Sequence, residues 1–177
     1  MAAAVRGKAV RWGPRALGEA MGLFVSTFVN RIDRKGRVSV PATFRAALQG
    51  QSFHGVFLFP SLRRPAVEGC GAEFMERLSA SVDAFDLFSD RRDEFSAVMF
   101  AEAHQLPFDG EGRVVLAEPL LTHAGITEEA AFVGTGRTFQ IWNPTTFRQH
   151  AEEVRRRALS EGATLPVRPA QPGGIAT

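Results

Sequence analysis

At 177 residues the chain is long enough to bury a substantial core, and no apolar run approaches the roughly 18 residues of a membrane span. Near the start there is no short apolar segment followed by a small-residue cleavage site, and a lone cysteine, Cys70, excludes an internal disulfide and points to a reducing cytoplasm. The formal charge of +2 hides a division, because Arg6, Lys8, Arg11 and Arg15 stand against Glu19 in residues 1–20, leaving 17 basic and 18 acidic residues beyond them.

Residues 1–20 are rich in Ala, Gly and Arg without period and are expected to be a disordered extension. Their Arg-rich, acid-poor character also fits a transit peptide, and Met21 ahead of a strand fits an extended start equally well. From Leu23 to Ile32 the β-favouring residues Phe, Val and Thr predict a strand leading into the polar turn D-R-K-G. Gly36 supplies the positive φ of a hairpin loop, and the Asp33 carboxylate is placed to accept backbone N–H groups across it. After Arg37, the alternation of Val38 and Val40 with Ser39 directs two apolar side chains inward. Pro41 opens a short helix closed by Gly50, and Phe53 to Phe59 reads as a further strand.

The D-R-K-G-R-V-S-V stretch at 33–40 returns 76 residues later as D-G-E-G-R-V-V-L at 109–116. Phe44 and Leu48 find apolar counterparts in Leu120 and Ala124 at the same offset, so the chain is two copies of one supersecondary unit. The second copy predicts a turn at 109–112, a strand at 113–116, a helix from Pro119 to His123 closed by Gly125, and strands at 131–133 and 138–142. Between the copies, Phe74, Leu78 and Val82, then Phe95 and Met99, recur at intervals of four and predict two amphipathic helices. Phe147, Ala151, Val154 and Ala158 predict another after N-P-T-T, and the Pro- and Gly-rich end is expected to be disordered.

The two copies differ in charge. Residues 24–60 hold Arg31, Arg34, Lys35, Arg37 and Arg45 against Asp33, a local +4, while residues 103–150 carry a local −2. Two opposite fields on one frame bear on any anionic partner.

The paired D-x-x-G-R turns, the R-V-S-V-P-A-x-F-R that follows the first and the R-x-F-Q-I-W of the second resemble the MraZ family over about Met21 to Leu159. The resemblance implies an α+β fold of two tandem swapped-hairpin, AbrB-like halves forming a double-split β-barrel with external helices. The organisation expected is a first SpoVT-AbrB-like repeat at 23–68, inter-repeat helices at 69–102, a second repeat at 103–146, a C-terminal helix at 147–160 and a disordered tail at 161–177. It further implies a cytoplasmic, nucleoid-associated regulator that binds double-stranded DNA at promoter repeats of the division and cell-wall gene cluster, including its own gene, as a ring-shaped homo-oligomer. DNA contact then falls on Arg31, Arg34, Lys35 and Arg37. In the second copy Gly110 and Glu111 replace Arg34 and Lys35, so Asp109, Gly112 and Arg113, like Asp33 and Gly36, are assigned to holding the turns. The other class to weigh is an AbrB-type protein-interaction module, as in antitoxins.

Catalytic readings find little support. Asp33 and Asp109 sit in polar turns where backbone capping is their ordinary role. His54, His104, His123, His150 and Cys70 lack metal-ligand spacing, and G-T-G-R at 134–137 lacks the ending of a phosphate loop and reads as a hairpin turn. The expectation is therefore a non-enzyme with no cofactor, metal, membrane association or small-molecule substrate.

Overall fold

The chain leaves the D-R-K-G turn in directions that a simple hairpin does not take. In the computed structural model, which describes residues 22–165, the turn forms and Ile32 bridges Val38, but the flanking strands then part. Strand β1 (Thr27–Arg31) pairs antiparallel with β7 (Glu129–Gly134) of the second copy, and β2 (Arg37–Ser39) pairs with β6 (Arg113–Val115). The expected hairpin is thus open beyond its first bridge. An isolated two-stranded hairpin is marginal in water, and crossing to the other copy gives each strand a neighbour and an apolar surface to cover. The disorder expected of residues 1–20 and 166–177 lies outside the described residues.

The same crossing occurs in the second copy, where β5 (His104–Pro107) pairs with β3 (Gly55–Pro60) of the first. With β4 (Ala66–Cys70) and β8 (Phe139–Trp142) at the centre, the six-stranded order is β1-β7-β8-β4-β3-β5. Exchanging every strand for its counterpart reverses this order without altering it. In the β2–β6 ladder Val38 faces Val114, its own counterpart. The large sheet stays open at its β1 and β5 edges, so the β-structure is not a closed barrel: the strands that follow those edges pair with each other as a separate ladder.

Alternation along the strands sorts the side chains into two layers. Phe139 and Ile141 of β8 join Ala130 and Phe132 of β7 in the main core, while Trp142, Ala131 and Val133 face the opposite side. The main core is closed by α1 (Ala42–Ala47), by α4 (Glu118–Ala124) and by Val38, Val40, Val114 and Leu116. Phe44 of α1 is its hub: its ring lies 5.2 Å from Phe24, 5.6 Å from Phe28, 5.3 Å from Phe139 and 6.4 Å from Phe132, edge-on or tilted to each. Strand β4 escapes a reading by local signals, because Pro65, Gly69 and Gly71 mark it as loop. Gly69 is there because the Phe139 ring lies across it, and a Cβ at that position would collide with the ring.

The helical insertions follow their periodicity. α2 (Ala72–Asp83) buries Val82 and half-buries Phe74 and Leu78, and α3 (Asp90–Ser96), capped by Ser89, continues into a wider π-helical turn at Ala97–Ala101 that holds Met99. Phe95 stacks on Phe85 at 5.7 Å, whereas Leu87 and Phe88 in the connecting loop are 61% and 92% exposed. α5 (Pro144–Ser160) begins at Asn143, whose side chain accepts the N–H groups of Thr145 and Thr146 and donates to the Gly125 carbonyl. Phe147 then packs on Trp142.

Truncating Phe44 to Ala should cost about 3–5 kcal/mol, the usual range for a fully buried aromatic. Because its neighbours lie in both copies, urea unfolding should remain one transition, shifted to a lower midpoint; separate loss of one copy would contradict the shared core.

Candidate nucleic-acid interface

Each D-x-x-G-R sequence folds into the same small machine. In the first, Gly36 (φ 75°) donates its N–H to the Asp33 carbonyl at 2.9 Å, and Asp33 donates to the Arg37 carbonyl at 2.9 Å. Asp33 Oδ1 accepts the N–H groups of Lys35 and Arg37 at 2.8 and 3.0 Å, while Oδ2 accepts Arg37 Nε–H at 2.7 Å. In the second, Asp109 Oδ1 accepts the N–H groups of Glu111 and Arg113, each at 2.9 Å, and Oδ2 accepts Arg113 Nε–H at 2.8 Å, with Gly112 at φ 73°. The carbonyls of the two turn glycines accept across the copies, Gly36 from Leu116 and Gly112 from Val40. Since Arg37 lies opposite Val115 and Arg113 opposite Ser39, the turns occupy opposite ends of the β2–β6 ribbon.

These contacts set the electrostatics. The Arg37 side chain, followed by the backbone donors, holds the Asp33 carboxyl at about 2, and the Arg113 backbone and side chain hold Asp109 at about 2. The Asp109 hydrogen bond in turn raises Arg113 above its ordinary value. Arg37 and Arg113 therefore do the same local work, with part of each guanidinium committed to its own turn.

What separates the turns is what remains after that pairing. In the second, Glu111 Oε2 sits 2.7 Å from Arg113 Nη1, so the turn's own residues, 109–113, sum to a net negative charge. In the first, Arg34 and Lys35 are exposed, and among the described residues no carboxylate pairs with either. Arg31, at the end of β1, has an 87% exposed side chain that meets Glu129 only at 3.7 Å. Arg45 is different. Its Nε–H donates to the Val40 carbonyl at 3.2 Å and its guanidinium lies against Gly112, so it serves the second turn and leaves the cationic surface of the first. Sequence position alone counts Arg45 with the first turn; its tertiary neighbour is visible only in the fold.

The remaining chemical residues are dispersed. Among the described residues no group of three His, Cys, Asp or Glu side chains is placed to hold a metal ion, and no helix is long and apolar enough to cross a membrane. Cys70 is buried, and that burial, followed by the charge of Glu68, pushes its thiol up to about 12. Of residues 134–137, Gly134 ends β7 and the rest lie in the β7–β8 connection, where Thr135 N–H donates to the Thr138 carbonyl.

Because both turn aspartates are held below the ordinary 3.8, between pH 3.8 and about 2 the unfolded chain binds protons that the folded chain does not. Stability should rise with pH across that window, and the contribution should vanish below about 2. Carboxyl carbon NMR should find both midpoints near 2, and Asp33→Asn should remove one share of the dependence; midpoints near 4 would show the turns to be loose.

Comparison with known proteins places this geometry among relatives. Residues 99–165 match the family model described as MraZ protein, putative antitoxin-like. Proteins called Transcriptional regulator MraZ from Rickettsia akari (strain Hartford) and Rickettsia felis are each 44% identical over 145 residues, covering 82% of this chain and 97% of theirs. The Rickettsia canadensis protein of that name is 43% identical over the same length. Identity of this level across nearly the whole of those relatives means that the chain belongs to the MraZ family.

Proposed function

We propose that this protein is a sequence-specific DNA-binding transcriptional regulator, acting at the promoter of the division and cell-wall gene cluster that includes its own gene. The observation that carries the reading is the asymmetry of the turns: one frame, built twice, ends in the first copy in Arg34 and Lys35, which no carboxylate of the described residues pairs, and in the second in Glu111 paired to Arg113. The first turn, with Arg31, Arg34, Lys35 and the oriented Arg37, is the DNA surface. Cations there meet phosphates, and a guanidinium with its fork free suits the O6 and N7 of guanine. The second turn, through Asp109, Gly112 and Arg113, braces the ribbon. The name carried by the Rickettsia relatives supports the regulatory role.

The crossing of β1 and β5 between copies supports reading the halves, 23–68 and 103–146, as swapped-hairpin AbrB-type repeats of a double-split barrel. The helices at 69–102 are the insertion between them, and 147–160 is the closing helix. One first turn reaches few phosphates, and several turns on a ring-shaped homo-oligomer meeting repeated DNA sites supply avidity. Exposed Leu87 and Phe88, at the tip of the insertion, provide apolar surface for a head-to-tail interface between copies. Such an assembly belongs in the cytoplasm, on the nucleoid.

An antitoxin-like protein-interaction role is the second reading, favoured by the description of the matching family model. Salt separates the two, since cations bound to phosphates release counterions whereas an apolar interface tolerates salt.

Fluorescence anisotropy with the duplex upstream of the chain's own gene should give a preference over scrambled duplex that weakens steeply with salt. The double variant Arg34→Ala/Lys35→Ala should bind at least tenfold more weakly and lower the slope of log K against log salt by about 2. Unchanged affinity would remove the first turn from the interface. By light scattering, the full chain should run as a closed oligomer, and Leu87→Glu/Phe88→Glu should reduce its mass; a monomeric wild-type chain would end the ring reading.

A further inference from the structure

A second basic site lies away from both turns. The loop between β3 and β4 brings Arg63 and Arg64 against one stripe of α5, where Thr146, His150 and Arg157 lie four and seven residues apart, over Trp142. Together they line a cleft of about 430 Å³. Arg64 Nη1 stands 3.0 Å from His150 Nε2, and the His150 ring lies flat on Trp142 at 5.0 Å. Both nitrogens cannot donate along one line, so His150 offers Arg64 its lone pair and is neutral in this arrangement. Burial, then Arg64, then Arg157, lower its pKa accordingly.

The charge balance is what makes this a site. Three guanidiniums line the cleft, and among the described residues no carboxylate lines it. Glu153, the nearest acid on α5, reaches Arg157 only at 3.9 Å and is shared with Arg156. Three like charges with one distant, shared counter-charge repel one another, and a bound anion lowers that cost. The aromatic groups do not invite a stacked base: Trp142 is 1% exposed, its indole N–H donates to Gln140 at 3.0 Å, and its faces are taken by His150 and Phe147. The chemistry left is guanidinium forks and a Thr146 hydroxyl in a small polar cleft, which fits tetrahedral oxyanions.

We propose that Arg63, Arg64, Arg157 and Thr146 form a phosphate-binding site, and that the phosphate it takes belongs to the backbone of the same duplex held by the first turn. Register favours that source. Trp142 pairs with Ala66 beside the Arg63–Arg64 loop, and Arg31 pairs with Glu129 near the start of the strand that Trp142 also borders, so both cationic groups lie along one end of the sheet. They are separated by three strand spacings, about 14 Å, well within one turn of duplex. The source rests on the DNA-binding reading; the phosphate site does not.

The test uses the full chain carrying Trp12→Phe, which leaves Trp142 as its remaining tryptophan. Inorganic phosphate, titrated at constant ionic strength against chloride, should change Trp142 fluorescence saturably, and Arg64→Gln/Arg157→Gln should abolish the change. With the upstream duplex, the same double variant should lower the salt slope by about one for each backbone phosphate no longer neutralised, while sparing the preference over scrambled DNA. A saturable phosphate signal without a change in slope upholds the site and overturns the backbone as its source. A saturable signal in a protein that binds no duplex upholds the site and refutes the DNA-binding reading. Absence of both the fluorescence signal and the slope change overturns the proposal.

Discussion

The ladder between β1 and β7, with its mirror between β5 and β3, ties each polar turn to a strand of the other copy. Position in this molecule follows from that constraint. The first turn leaves the sheet beside residues 128–129, and the Ile32 N–H donates to the Glu128 carbonyl there, so the cationic loop is aimed by second-copy backbone. Phe44 secures the arrangement from within, because its ring touches Phe24 and Phe28 from its own copy and Phe132 and Phe139 from the other. Pulling the copies apart exposes all five rings together.

Two copies of one frame carry residues of opposite net charge in their turns. Asp, Gly and Arg recur in both turns because carboxylate capping, positive φ and a bracing guanidinium are requirements of the backbone. The two residues between Asp and Gly meet no such requirement, and it is there that Arg34 and Lys35 diverge from Gly110 and Glu111. Arg45 narrows the contrast by leaning on Gly112, where its charge offsets the acids of the second turn.

Much of this is legible in the chain itself. The turns announce themselves through D-x-x-G-R, α5 through the Asn143–Pro144 start, and the inward valines through alternation, since these signals act within a few residues. Alternation, however, specifies the face a side chain takes and not the strand lying beside it, so the parting of β1 from β2 leaves no local trace. Strand β4 is hidden for a related reason: Gly69 looks like a breaker until Phe139, distant in sequence, lies over it. The cleft of Arg64 and His150 joins positions 86 residues apart and has no sequence signature at all.

The crossing of β1 also orders events during synthesis. Thr27–Arg31 emerges from the ribosome about a hundred residues ahead of Glu129–Gly134, its partner, a wait of roughly 5–20 s at ordinary elongation rates. Throughout that interval β1 is an unpaired strand with Phe28 and Val29 uncovered, open to pairing with the same strand of another nascent chain. On a crowded polysome, the exchange that completes each finished molecule is equally an invitation to complete the wrong one.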